Sequence, residues 1–208
     1  MIVHRLGTVG STNDEAAALA RAGAPHGTVV TALAQTQGRG RQGRAWFSPP
    51  GDNLYLSMVL RLGLPPAAVP PVTLAAGVAV VEAVNSLGVT ASLEWPNDVV
   101  VAGKKIAGIL TETSTRGSHT EFVVVGVGLN VNTIDFPGDL EPIATSVRRE
   151  RGGDPLPLEP IAADLAARLE AWALRFSRGG PAPVARAWKA HAAVLGRRVR
   201  VAVDGRVV

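Results

Sequence analysis

Residues 91–131 read ASLEWPNDVVVAGKKIAGILTETSTRGSHTEFVVVGVGLNV. Runs of β-branched and apolar residues alternate here with short polar or glycine-bearing interruptions, so strands are predicted over 91–95, 98–102, 105–115 and 120–131. The interruptions, Pro96-Asn97, Gly103-Lys104 and Arg116-Gly117-Ser118, are too short for a crossover and join antiparallel neighbours. The stretch therefore predicts a largely antiparallel sheet.

Working outward, NLYLSMVLRL over 53–62 and GTVVTALA over 27–34 predict two further strands, and the alanine-rich segment 72–87 a buried helix. Ser11-Thr12-Asn13-Asp14-Glu15 opens a helix, with Thr12 and Glu15 at capping-box spacing and Gly23 ending it. Downstream, 133–160 is rich in proline and glycine and predicts an irregular surface segment. Amphipathic helices follow over 159–178 and 181–195. From Gly196 the pattern alternates again and Asp204-Gly205 marks a turn, so a second small β-unit is expected to begin there; a lone hairpin has no core of its own. The class is α+β, a mixed and mainly antiparallel sheet with helices on one side. The main domain is placed at 1–195 and the start of an incomplete second one at 196–208.

The chain has 208 residues, 47% hydrophobic and 18% charged, enough to bury a full core. The longest apolar candidate, 72–84, is shorter than the ~18–20 residues a membrane span needs and contains Glu82. Residues 1–7 lack the parts of a signal peptide. Zero cysteines exclude disulfides, thiolate metal sites and a cysteine nucleophile. A cytoplasmic location is expected, without membrane partners. The formal charge is +4, but only Lys104, Lys105 and Lys189 among the 21 basic residues are lysines. Arginine richness is thus explained by composition bias as readily as by a polyanion partner.

The segment QGRGRQGRAWFSP, 37–49, packs three glycines and three arginines into 38–44. Glycine lets backbone approach a ligand closely, and arginine offers fixed, forked donors for carboxylate or phosphate. No Gly-Lys-Ser/Thr follows, so it is not a Walker loop. It joins two strands rather than opening a helix, so it is not a dinucleotide fingerprint. A solvated basic loop or an RNA-contacting arginine–glycine segment remain alternatives at this level.

Other motifs accompany it in a fixed order: Ser11-Thr12-Asn13, Gln35 with GRGRQGRAWFSP, Asn53-Leu54-Tyr55-Leu56-Ser57, Trp95-Pro96-Asn97-Asp98, KIAGILTE over 105–112, and GVGLNVN over 126–132. Together these resemble the biotin protein ligases (biotin–[acetyl-CoA-carboxylase] ligases), in order and spacing, from Ser11 to Asn132. The resemblance implies a class II aminoacyl-tRNA synthetase-like fold with a small SH3-like C-terminal domain. It also implies a ligase that makes biotinyl-5′-AMP from biotin and ATP with Mg²⁺, then passes biotin to a lysine of a biotin carboxyl carrier protein of acetyl-CoA or a related carboxylase. The first step brings a carboxylate to a phosphate, and at about 4 Å and an effective dielectric near 20 their repulsion is roughly 4 kcal/mol. Arg39, Arg41 and Lys105 are the cations that could offset it, with positioning supplying the rest.

By resemblance, Ser11, Thr12 and Gln35 hold the ureido ring of biotin, Asn13 and Gly108 belong to the same pocket, and the backbone of Gly38, Arg39 and Gly40 closes over it. One of Ser11 and Thr12 can cap the helix while the other binds ligand. Arg41 contacts phosphate, and Lys105, rather than its neighbour Lys104, bridges carboxylate and α-phosphate, since strand alternation lets one of them face the pocket. Arg44, Trp46, Asn97, Asp98 and Asn130 fall on the nucleotide side, Trp46 against adenine. Arg41 and Lys105 are the catalytic candidates; no metal-ligating set is assigned. Without the resemblance, Trp46 reads equally as core and Asn97-Asp98 as a turn.

Two departures stand out. Glu94 occupies a position where the family commonly has lysine, and only ten residues precede Ser11, so a form without the DNA-binding segment of some relatives is expected. The resemblance also allows a homodimer through a sheet edge. A lipoate-protein ligase of the same fold is the nearest alternative, although octanoyl transfer through a cysteine thioester is excluded. An arginine-rich RNA-binding module would show salt-dependent RNA binding without biotin-dependent pyrophosphate release.

Overall fold

The computed structural model describes residues 1–196 and two short strands beyond them, Ala202–Val203 and Arg206–Val207. The first 196 residues contain seven strands: β1 (Val3–Val9), β2 (Thr28–Gln35), β3 (Leu54–Leu60), β4 (Ser92–Glu94), β5 (Asp98–Val101), β6 (Lys104–Arg116) and β7 (His119–Leu129). They form one sheet in the order β1-β2-β3-β7-β6-β5-β4. Every neighbouring pair is antiparallel except β1 with β2. The hairpin β5–β6 turns at Ala102 and Gly103, both at positive φ (49° and 83°), one residue earlier than the spacing suggested and as a two-residue turn of the primed kind requires.

Alternation along β3 and β7 gives the sheet two different faces. Leu54, Leu56, Met58 and Leu60 point to one side with Val123, Val125 and Val127. On that side lie α2 (Pro71–Ser86), α4 (Leu158–Gly179) and α5 (Pro181–His191), with Val80, Val81, Leu165 and Trp172 in the shared core. Val59 and Val124 point the other way, against Ala16 and Ala20 of α1 (Thr12–Arg21). Helices on one side thus describes the three longer helices; α1 lies on the opposite face and covers only part of it. The rest of that face is where the motifs gather.

α1 is capped by Ser11, whose Oγ accepts from the Asn13 backbone N–H at 3.3 Å, not by Thr12. The expectation that no apolar run reaches membrane-spanning length needs correcting. Pro66–Ser86, a short 3₁₀ turn running into α2, is 21 residues long with a mean hydropathy of 1.8. Its apolarity has a local explanation, because α2 packs against the sheet, α4 and α5, with Val78 to Val81 fully buried. Between β7 and α4 the chain is irregular, as expected, apart from a 3₁₀ turn at Gly138–Leu140 and α3 (Val147–Arg151). Ala202–Val203 and Arg206–Val207 pair as an antiparallel hairpin, β8–β9; most of the segment assigned to a second domain lies outside the described residues.

Candidate active site

Two adjoining clefts, sharing Gly40, Trp46, Asn97 and Lys105 in their linings, open on the α1 face. The inner one ends at the first turn of α1. Gln35, the last residue of β2, reaches across it, and its Oε1 accepts from both the backbone N–H and the hydroxyl of Thr12 (2.9 and 3.1 Å). Its Nε2 donates to Ser48 Oγ at 3.1 Å, so the amide is oriented at both ends. Ser57, from the centre of β3, lies 2.8 Å from Thr12 Oγ and 2.6 Å from Asn13 Oδ1. With one hydroxyl proton it can donate to only one of them. Asn13 Nδ2 donates to Glu112 Oε2 at 2.6 Å. The inner end is therefore a buried, polar, pre-oriented pocket, suited to a neutral ring that carries both donors and acceptors.

Its floor is β6 and β7, and here three glycines matter. Gly108, Gly126 and Gly128 present one face of the sheet without side chains. A Cβ on Gly126 would overlap the Asn13 amide, and one on Gly128 would overlap the Trp46 indole. On Gly108 it would come within 3.0 Å of Trp46 and 3.2 Å of Lys105. Trp46 thus lies flat on the floor where the two clefts meet, with its Nε1 buried and unpartnered and Lys105 Nζ 5.3 Å from its ring centroid.

The glycine–arginine segment forms a small hairpin over this floor. Trp46 N–H donates to Gly38 O (2.8 Å) and Gly40 N–H to Arg44 O (2.7 Å), and Gln42 and Gly43 at the tip take positive φ (58° and 72°). Gly38 faces neither cleft; its missing Cβ makes room for Ser48 Oγ, 2.6 Å from where that carbon would be. Tyr55 Oη donates to Pro49 O at 2.8 Å and anchors the downstream end. Burial pushes the Tyr55 hydroxyl well above the usual phenol range, so it stays a donor at any working pH.

The three candidate cations take different positions. Arg39 donates two bonds to Asp14, at 2.8 and 2.6 Å, and lies 3.8 Å from Glu112. Its guanidinium is already committed to carboxylates and does not face the outer cleft. Arg41 is exposed and donates to Asn97 Oδ1 at 3.3 Å. Lys105 lines both clefts, and its ammonium pairs with Asp98 at 2.7 Å. Lys104 lines neither. The Lys105 backbone is held by Ile143 O and the Thr145 N–H (2.8 and 2.9 Å).

Of the residues named from sequence, Ser11, Thr12, Asn13, Gln35, Arg39 and Gly108 line the inner cleft. Arg41, Arg44, Asp98 and Asn130 line the outer one, and Gly40, Trp46, Asn97 and Lys105 line both. Asn130 is buried, and its amide is occupied in donating to Thr145 O at 3.0 Å. Asn97 Nδ2 likewise donates to Ile109 O at 2.9 Å. Sequence reasoning missed Ser57, Glu112, Gly126 and Gly128 as parts of the site. The two glycines carried a readable signal, two positions apart in an apolar strand, where glycine marks close approach. Among the described residues no group of three or more His, Asp or Glu side chains is placed to hold a metal ion.

A mixed, mainly antiparallel sheet whose polar pocket leads into a wider cleft bearing Arg41, Arg44 and Lys105 matches the class II aminoacyl-tRNA synthetase-like catalytic fold. Residues 8–130 match the biotin/lipoate A/B protein ligase family, and the chain belongs to it. It is similar to the bifunctional ligase/repressor BirA of Bacillus spizizenii, 35% identical over 195 residues, covering 92% of this chain and 60% of that protein. It is also similar to the biotin–[acetyl-CoA-carboxylase] ligase of Mycobacterium tuberculosis, 38% identical over 202 residues, covering 94% and 73%. Among solved structures it resembles a biotin protein ligase from Aquifex aeolicus in complex with biotin and ATP, with a TM-score of 0.83, 27% identity and coverage of 99% and 85%. The chain spans about 60% of the length of the first two curated relatives, which are of the ligase/repressor kind.

Proposed function

We propose that this chain carries the catalytic domain of an ATP-dependent biotin protein ligase, which joins the biotin carboxylate to the α-phosphate of ATP and then passes the biotinyl group to a carrier lysine. The observation that carries the reading is the position of Lys105. It stands where an amide- and hydroxyl-lined pocket meets a wider cleft bearing Arg41 and Arg44. A biotin ring at Thr12 and Gln35 would direct its carboxylate towards Lys105, and ATP in the outer cleft would present its α-phosphate from the other side.

In the first half-reaction the carboxylate oxygen attacks the α-phosphorus and pyrophosphate leaves, giving a mixed anhydride. The chain's part is to hold two mutually repelling anions close and to offset their charge. Lys105 would exchange its pairing with Asp98 for the carboxylate and phosphate, and Arg41 would exchange Asn97 for phosphate. Trp46, already flat on the glycine floor, would stack against adenine. In the second half-reaction the neutral ε-amine of the acceptor lysine attacks the anhydride carbonyl and AMP leaves, so no covalent enzyme intermediate is needed.

Magnesium fits as a passenger of the nucleotide rather than as a resident ion. It needs only one or two protein carboxylates when phosphates supply the other ligands. Asp98, whose Oδ1 pairs with Lys105 at 2.7 Å, would offer a carboxylate in the outer cleft once Lys105 turns to the ligand. Magnesium, when bound, would neutralise phosphate charge. The acceptor would be a biotin carboxyl carrier domain, in the cytoplasm and without membrane involvement, and pairing of two copies through a sheet edge is compatible with the fold.

The test is transfer of biotin to a carrier domain by the full chain, read by mass spectrometry. ATP-dependent gain of one biotinyl group, lost when the acceptor lysine is replaced by arginine, is expected. Modification by lipoate instead would overturn the substrate assignment.

A further inference from the structure

Glu112, on β6, faces both the hairpin and the first turn of α1. Its Oε2 accepts from Asn13 Nδ2 at 2.6 Å, while its Oε1 lies 3.8 Å from the Arg39 guanidinium. Arg39 in turn makes a forked pair with Asp14 on the first turn of α1. Among the described residues, Asp14 and Glu112 are the carboxylates that pair with a guanidinium of this hairpin. The remaining side-chain tie near the tip is the longer Arg41–Asn97 bond. Consistent with this pairing, the Asp14 carboxyl is held below the usual carboxylate range, first by its hydrogen bonds from Arg39.

We infer that Asp14 and Glu112 are positioning residues which, through Arg39, latch the 38–46 hairpin over the inner cleft, and that Glu112 couples the latch to the Asn13 amide. A forked arginine–carboxylate pair fixes direction as well as distance, so it sets where Gly40 and Trp46 sit over the floor. Because one carboxylate serves both the hairpin and Asn13, a ligand that settles the Asn13 amide also favours the closed hairpin. A protein closed for only a fraction of the time binds ligand more weakly by that fraction. Arg39 thereby acts on ligand without touching its charge, unlike Arg41. The ligand half of the test rests on the ligase reading; the latch itself does not.

The test uses the full chain with Asp14→Asn and Glu112→Gln. The second variant keeps an oxygen to accept from Asn13 and removes only the charge facing Arg39. Without ligand, tryptic cleavage after Arg41 and Arg44 should be about 2–5-fold faster in either variant, as suits a half-exposed ion pair. Cleavage after Arg168 in α4 serves as the reference and should not change. Raising salt should accelerate hairpin cleavage in the unaltered protein and much less in the variants. With ligand, the apparent biotin Kd should rise by a similar factor. Unchanged hairpin cleavage, or equal acceleration after Arg168, would overturn the latch. Faster hairpin cleavage with an unchanged biotin Kd would overturn its coupling to the pocket. An unaltered protein that binds no biotin would contradict the ligase reading and leave the cleavage result standing by itself.

Discussion

Lys105 and Lys104 are neighbours in sequence with different surroundings, and the contrast is a direct probe of the site. Replacing Lys105 by alanine removes the cation that lies between the two clefts, and adenylate formation should fall by ~10²–10³-fold, the scale of losing one donor at a developing charge. Lys104→Ala should leave it within a few-fold; equal losses would refute the assignment. Arg41→Ala should show a loss of the same order as Lys105→Ala, and near-normal pyrophosphate release would remove it from the phosphate side. Gly128→Ala tests the floor. The added methyl must displace Trp46, so binding should weaken at least ~10-fold while the urea midpoint moves little, because Trp46 belongs to neither hydrophobic core cluster.

At the scale of elements, α1 and the hairpin form one working unit. Ser11 caps α1, so Ser11→Ala should lower stability by about 1 kcal/mol in urea unfolding. The Asp14–Arg39 pair adds a pH dependence of known sign. A carboxyl whose folded-state pKa is lowered contributes stability that is present above its unfolded value, near 4, and is lost as pH falls through the folded value. The stability difference between the protein and Asp14→Asn should therefore be steady between pH 5 and 8 and shrink towards pH 3, which urea midpoints at several pH values would show. Elements differed in how legible they were. β3, β6 and β7 stood out because their apolar runs are long and bounded by glycine, proline or charge. β1 escaped because VHRLGTV is an edge strand whose residues are largely exposed, leaving no continuous apolar signal, and because its partner, β2, is reached only through α1. The Arg39–Asp14 pair joins residues 25 apart, and no local pattern in either segment points to the other.

For the molecule as a whole, the two faces of the sheet divide the labour. One is covered by α2, α4 and α5 and supplies the main core; the other keeps open ground beside α1 for chemistry. Leu165→Ala in α4, fully buried in that core, should cost about 2–5 kcal/mol while leaving the pocket residues in place, so biotin affinity measured well below the melting temperature should hold. The largely antiparallel class followed from alternation in 91–131, whereas the position of α1 on the opposite face did not, because a short alanine-rich helix carries no sign of which sheet face it will cover. The central claim is that the inner polar pocket takes biotin and the outer cleft bearing Arg41 and Arg44 takes ATP, with Lys105 between them. Pyrophosphate release by the full chain, measured with ATP and either biotin or lipoate, tests it most directly. Release that requires biotin and disappears in Lys105→Ala is the predicted result; release that requires lipoate, or that proceeds without either acid, would contradict it.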